Sequence, residues 1–217
     1  KNSGVTMIEL TVVLFIFIVI SGMTIFNYSK FNTSISTQNL ADDVALSVRR
    51  AQGYAIGVRG SGNNFQIGYG VHFAPKIFTA GSEYRGSEKS FVLFADIDSD
   101  YKYDYLSYDG CGAPKSGNEC MEILSILSND KISGIYLNAG LGNQEQVPVD
   151  GSVEILFKRP NPEPVFCYRS DVVHENCDKN NSLISNVRIN ITNNYNGQTT
   201  NRSVTITNNG QISVTSS

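Results

Sequence analysis

The sequence predicts an α+β protein: a long N-terminal α-helix, its hydrophobic half protruding, packed on an antiparallel β-sheet head. Three observations carry that prediction. Between residues 5 and 26, 16 of 22 side chains are hydrophobic and one is charged. Leu40, Val44, Val48, Ala51, Ala55 and Val58 then recur at spacings of three and four, the stripe of an amphipathic helix. Beyond Asn63 the apolar period changes to two, the period of strands. The whole-chain averages blur this division. A length of 217 residues fits one globular domain with an appendage, and a mean hydropathy of −0.16 excludes a multi-span membrane protein. Charged residues are only 17% and aromatic residues 10%, which argues against a disordered chain. With 17 basic and 20 acidic residues, there is no basic footprint for nucleic acid, which is an unlikely partner.

The first segment, residues 5–28, is expected to be a transmembrane or filament-core helix. Its 22-residue apolar core reaches ~33 Å as a helix, the thickness of a bilayer's hydrocarbon. A signal peptide fits poorly, because the run is too long and no Ala-x-Ala exit follows. Glu9 is the anomaly. A carboxylate in lipid costs roughly 2.5–3.5 kcal/mol, so Glu9 either sits at the wet interface or meets a cationic partner.

Lys1 and the run Gly4-Val5-Thr6-Met7-Ile8-Glu9-Leu10 resemble the N-terminal signature of type IV pilins and pseudopilins. The resemblance implies that residues 1–4 are the remainder of a leader, cut after Gly4 by a prepilin peptidase, with methylation of the new N-terminus at Val5. It also implies that Glu9 neutralises the terminal amine of a neighbouring subunit during filament assembly. Val5 stands where the family usually has Phe. The implied partners are copies of the chain in a helical filament, sister pilins, the inner membrane before assembly, an assembly ATPase and a platform protein. The implied localisation is a single-pass membrane protein with an extracytoplasmic head, later an extracellular filament. The stretches 40–51, 155–162 and 203–214 further resemble H-type minor pseudopilins and related minor pilins. A minor pseudopilin of a type II secretion system is therefore an alternative role, as is a membrane-tethered module for adhesion or DNA uptake.

The amphipathic half of the helix is expected over residues 29–60, weakened by Gly53 and Gly57 and stopped by Gly60-Ser61-Gly62. The β-rich head takes residues 61–217. Phe65, Ile67, Tyr69, Val71 and Phe73 alternate, as do Val153, Ile155 and Phe157, which predicts half-buried strands. Residues 90–97 form a more buried strand. Residues 121–127 and 131–137 flank Ser128-Asn129-Asp130 and read as a hairpin. Asn209-Gly210 predicts a second hairpin, between 203–207 and 211–214, and Asn196-Gly197 marks another turn.

One stretch could carry metal chemistry. Asp96, Asp98, Asp100 and Asp104 stand at positions 1, 3, 5 and 9 of a calcium loop. Tyr101 then replaces the turn glycine and Ser107 the closing glutamate. The pilin resemblance adds that several members hold structural calcium in a head loop. Two readings stay open, a structural Ca2+ site and a solvated acidic loop. Tyr101, Tyr103, Tyr105 and Tyr108 crowd the same region, and a strand face with three tyrosines at period two is expected there, a stacking or adhesive surface being the alternative. The four cysteines lie in the head and allow three connectivities. The short loops Cys111–Cys120 and Cys167–Cys177 are expected, since each pair brackets a turn-rich stretch; zinc, with His174 beside Cys177, is the rival. Only two histidines are present, and His72 falls within an alternating strand. No nucleophile elbow, phosphate loop or zincin motif occurs, so no enzymatic activity is expected.

Overall fold

The computed structural model describes residues 4–57, 67–75, 86–104, 111–112, 114–115, 117–138, 140–147, 151–161, 163–169, 175–178, 183–195 and 197–216. Lys1, Val58, Gly60, Ser61, Gly62, Asn63, Phe65, Tyr105, Ser107, Tyr108, His174 and Asn196, named above, lie outside them.

Among the described residues one helix, α1 (Met7–Ile56), precedes eleven strands. Its start is set by Thr6, whose extended backbone makes it the N-cap. Its end comes at Gly57, where the amide donates to the Gly53 carbonyl at 2.8 Å. Side chains of α1 are described over 7–23, at 28 and over 31–56. The two stretches differ in what they touch. Leu40, Ala41, Val44, Ala45, Val48, Ala51 and Ala55 are buried on one face. Four of those seven side chains are single methyl groups, which lets the helix axis approach the head closely. In contrast, Met7, Ile8, Leu10, Val12, Val13, Leu14, Phe15, Ile16, Phe17, Ile18, Val19 and Ile20 are exposed around the whole circumference.

The head departs from the expected single sheet. It contains two antiparallel sheets, and the architecture is corrected accordingly. The first is six-stranded, in the order β3 (Cys120–Ser125), β2 (Ser90–Asp96), β1 (Gly68–Phe73), β6 (Ser152–Phe157), β7 (Pro164–Arg169), β8 (Glu175–Asp178). The second is five-stranded, in the order β11 (Ile212–Ser216), β10 (Gln198–Thr207), β9 (Asn186–Tyr195), β4 (Lys131–Leu137), β5 (Glu145–Gln146). The helix touches β1, β2 and β6 of one sheet and β9, β10 and β11 of the other. A single apolar core joins its stripe to both, with Phe73, Phe91, Ile155, Phe157 and Phe166 from the first sheet and Ile135, Ile189, Val204 and Ile206 from the second. Polar side chains at the helix margins reach each sheet: Arg50 pairs with Glu122 of β3 at 2.8 Å, and Gln38 accepts from Arg202 of β10 at 2.9 Å.

The predicted hairpin of 121–127 and 131–137 is corrected for the same reason. Its two halves belong to different sheets: β3 pairs with β2, whereas β4 pairs with β9. Alternation reports which face of a strand is buried, but it does not name the neighbour. The crossing between them is held by the turn before β2. Ile126 donates to the Lys89 carbonyl at 2.7 Å, and Ile132 to the Glu88 carbonyl at 2.9 Å. The Asn209-Gly210 turn does join β10 to β11, with Gly210 at φ 82° donating to Thr207 at 2.9 Å. Gly197, at φ 74°, lies in the turn between β9 and β10.

Strands β1 and β6, expected half-buried, are buried on both faces. The face away from the helix is covered by a second apolar cluster, in which Tyr103 packs on Val92, Phe94, Cys120 and Leu156. Residues 97–104 therefore lie across the back of the six-stranded sheet. They do not form the expected tyrosine strand: Tyr101 has φ 77° and Tyr103 points into the cluster, 5.4 Å from the Phe94 ring.

Candidate functional site

Two regions bear on function, the start of α1 and the back of the six-stranded sheet. At the first, Thr6 and Glu9 form a reciprocal capping box. The Thr6 amide and hydroxyl donate to Glu9 Oε2 at 3.3 and 3.2 Å, and the Glu9 amide donates to Thr6 Oγ1 at 3.4 Å. Glu9 thus has an intramolecular role that the sequence reading did not assign, although Thr-x-x-Glu before an apolar run is its ordinary signature. A carboxylate here also faces the positive end of the helix dipole. Gly4 and Val5 precede the cap and are exposed, and a Cβ at Gly4 would meet nothing within 4 Å.

At the second region, Asp96 closes β2 and the chain turns outward. Asp98 Oδ1 accepts the Asp100 amide at 3.3 Å, and Asp100 Oδ1 accepts the Lys102 amide at 2.8 Å. These two local bonds hold Ser99 and Tyr101 in left-handed backbone, at φ 66° and 77°. The four aspartates do not converge on one point. Asp96 and Asp98 instead group with Glu119, which sits immediately before β3, and their nearest carboxylate oxygens all lie within 4.8 Å. Asp98, Asp100 and Asp104 form a second group of the same span on the outer side, where Lys102 lies 3.7 Å from Asp100.

The inner group is unusual in its burial. Asp96 and Glu119 are both fully inaccessible to solvent, while Asp98 is exposed. Glu119 accepts the Ile97 amide at 2.6 Å and the Asp104 amide at 3.1 Å, which fixes its carboxylate at the root of the loop. Neither oxygen of Asp96 has a well-formed hydrogen bond. Burial pushes the Asp96 carboxyl up to about 6, against the opposing pull of the Lys158 charge and of the Tyr101 backbone. Burial likewise pushes Glu119 up to about 8, despite its two amide donors. Glu119 is missing from the sequence reading because it lies far along the chain from Asp98 and fits no loop spacing; only the fold brings it in.

The cysteines staple the two opposite edges of the six-stranded sheet, one of them beside this loop. Cys111–Cys120 and Cys167–Cys177 are disulfides, and no described cysteine is free. The first ties residues beyond the acidic loop to the start of β3, next to Glu119. The second crosses between directly opposed positions of β7 and β8.

Two further buried polar groups have partners that the sequence reading does not name. His72 is buried, with Nδ1 2.7 Å from Glu154 Oε1, and Ser152 donates to that same oxygen at 3.2 Å. Asp130, read from sequence as a turn residue, is fully buried and accepts from Ser36, Thr37, Ser128 and Asn193. Beside it, a cleft of about 350 Å3 is lined by Tyr28, Asn32, Asn129 and Tyr195 among others.

Among the described residues, no helix is long and apolar enough to cross a membrane, so the transmembrane span expected over residues 5–28 is not shown. No protein-family model, curated protein or solved structure matches the chain.

Proposed function

We propose that the chain is a structural subunit of a type IV pilus or pilus-like filament, assembled through its N-terminal helix. The observation that carries this reading is the exposure of large apolar side chains all round the first turns of α1, from Met7 at 88% to Phe17 at 67% and Ile20 at 58%. A helix apolar on every side is stable only when another apolar phase surrounds it. Lipid before assembly and the packed helices of a filament afterwards both provide one. The amphipathic half of the same helix is already committed to the head, so the apolar half is the part left for partners.

Glu9 separates assembly from simple capping. In the filament reading its charge meets the amine exposed at Val5 after cleavage behind Gly4, and each ion offsets the other's cost in an apolar surrounding. Glu9→Gln keeps the capping box, since Gln serves at that position as well as Glu, but removes the charge. Expected is normal membrane insertion of Glu9→Gln with filament incorporation reduced about tenfold or more, a loss on the order of 1.4 kcal/mol. Electron microscopy of sheared surface filaments, with subunits identified by mass spectrometry, gives the readout. Normal incorporation of Glu9→Gln would leave Glu9 a helix cap only. Stoichiometric wild-type chain marks a main filament subunit, and trace amounts mark a minor pilin or a secretion-system pseudopilin. Complete absence from filaments would overturn the proposal and leave a membrane-tethered binding module.

A further inference from the structure

We propose that Asp96, Asp98 and Glu119 form a binding site for one calcium ion that fastens the 97–104 loop to the back of the six-stranded sheet. An acidic cluster alone would not carry this, since exposed carboxylates commonly gather without an ion. The independent observation is Asp96. It is fully buried, both its oxygens lack a well-formed hydrogen bond, and one of them lies within 4.8 Å of the nearest oxygens of Asp98 and Glu119. A buried carboxylate with no well-formed hydrogen bond, met only by the pull of the Tyr101 backbone and the Lys158 charge, is a site that asks for a cation. Lys158 is the nearest cationic influence, but its ammonium stands over the Tyr101 ring at 4.9 Å and makes no bond to Asp96.

The donor set selects the ion. All three ligands are carboxylate oxygens, with no histidine or cysteine in the group, which favours a hard cation. Magnesium holds its water shell and is usually met by one or two carboxylates. Three protein carboxylates, two of them dry, suit calcium, whose coordination sphere is larger and more irregular. Glu119 is well placed as a ligand, because two backbone amides already orient it and a carboxylate has lone pairs beyond those two bonds. The outer group of Asp98, Asp100 and Asp104 is a weaker competitor, since Asp100 already faces Lys102 and a backbone amide.

The three ligands come from a strand end, a loop and the residue before Cys120. One ion would therefore join the two ends of the segment whose Tyr103 covers Phe94 and Leu156, in parallel with the Cys111–Cys120 disulfide. This inference is independent of the filament reading.

Terbium luminescence tests it on the full chain in detergent, with excitation through the neighbouring tyrosines Tyr101 and Tyr103. Expected is a saturable signal displaced by calcium and not by equal magnesium. Calcium at ~100 times its Kd should also raise Tm by roughly 5–10 °C. Asp98→Asn, exposed and therefore safe for folding, should weaken binding about tenfold or more, as should Glu119→Gln. Asp100→Asn should leave affinity within about twofold. Absence of saturable terbium or calcium binding in the wild type would overturn the proposal. So would unchanged binding in Asp98→Asn, or an equal loss in Asp100→Asn, which would assign the ion to the outer group.

Discussion

Asp130→Ala is expected to destabilise the protein by about 3 kcal/mol and lower Tm by roughly 6–12 °C in thermal unfolding. The carboxylate stands where three parts of the molecule meet: α1 through Ser36 and Thr37, the crossing between sheets through Ser128, and β9 through Asn193. Thr37 and Asn193 donate at 2.7 and 2.8 Å, and both are buried. Without Asp130 they lose a charge-assisted acceptor and cannot turn to water, which is the costly side of hydrogen-bond energetics. The Thr37 hydroxyl can turn its one proton to the Thr33 carbonyl, 2.9 Å away, so Asn193 bears most of the loss. Lys89 holds the backbone of the same crossing, donating to the Ser128 and Asp130 carbonyls at 2.7 Å each. That second anchor survives the substitution and should keep the variant foldable.

The same residue dictates an acid limb. Burial opposes ionisation of Asp130, yet the hydroxyls of Ser128, Ser36 and Thr37 and the amide of Asn193 outweigh it and hold the pKa below the ordinary aspartate value. Because the folded pKa is depressed, the contribution is fully present above the unfolded pKa of about 4 and is lost as pH falls through the folded value. The stability gap between wild type and Asp130→Asn should therefore be constant from pH 5 to 7 and shrink below pH 4. Urea unfolding at several pH values measures it. A gap that persists undiminished toward pH 2 would mean that the charge of Asp130 contributes nothing.

Legibility in the sequence followed the range of the interactions involved. The stripe from Leu40 to Ala55, the Asn209-Gly210 turn and the short disulfide loops are local in sequence, and their residues are legible from spacing alone. The division into two sheets was not, because Ile123 and Ile135 alternate with the same period although their strands pair with β2 and β9 respectively. Glu119 was invisible for a related reason. Its neighbours Asp96 and Asp98 lie across a loop, and no spacing rule covers such a gap. Glu9 differs again: a resemblance supplied one role, and the simpler helix-capping role in the same residues went unread.

Gly70→Val is expected to cost about 3 kcal/mol or more, and its effect should reach the calcium loop as well as the core. Glycine in the middle of a fully buried strand is ordinarily a weakness. Here it is required by a close approach. A Cβ at position 70 would stand 2.7 Å from Cε1 and Cζ of Phe94 and 2.8 Å from the Ile155 carbonyl oxygen. The backbone of β6 cannot yield without breaking its pairing with β1, in which Gly70 is opposite Leu156. The Phe94 ring must then lift, and Phe94 is the surface on which Tyr103 rests, 5.4 Å between ring centroids. Displacing that ring loosens residues 101–104 and with them the Asp104 amide that orients Glu119. Gly70→Ala, with a single methyl group, should lose roughly 1–3 kcal/mol by the same route. Urea unfolding gives the stabilities, and terbium affinity measured well below the transition gives the coupling. A Gly70→Val protein as stable as wild type would show that β1 and Phe94 do not pack as closely as 2.7 Å implies. A destabilised variant with undiminished terbium affinity would show instead that the loop is seated by Asp96, Glu119 and the Cys111–Cys120 disulfide without help from the aromatic pair.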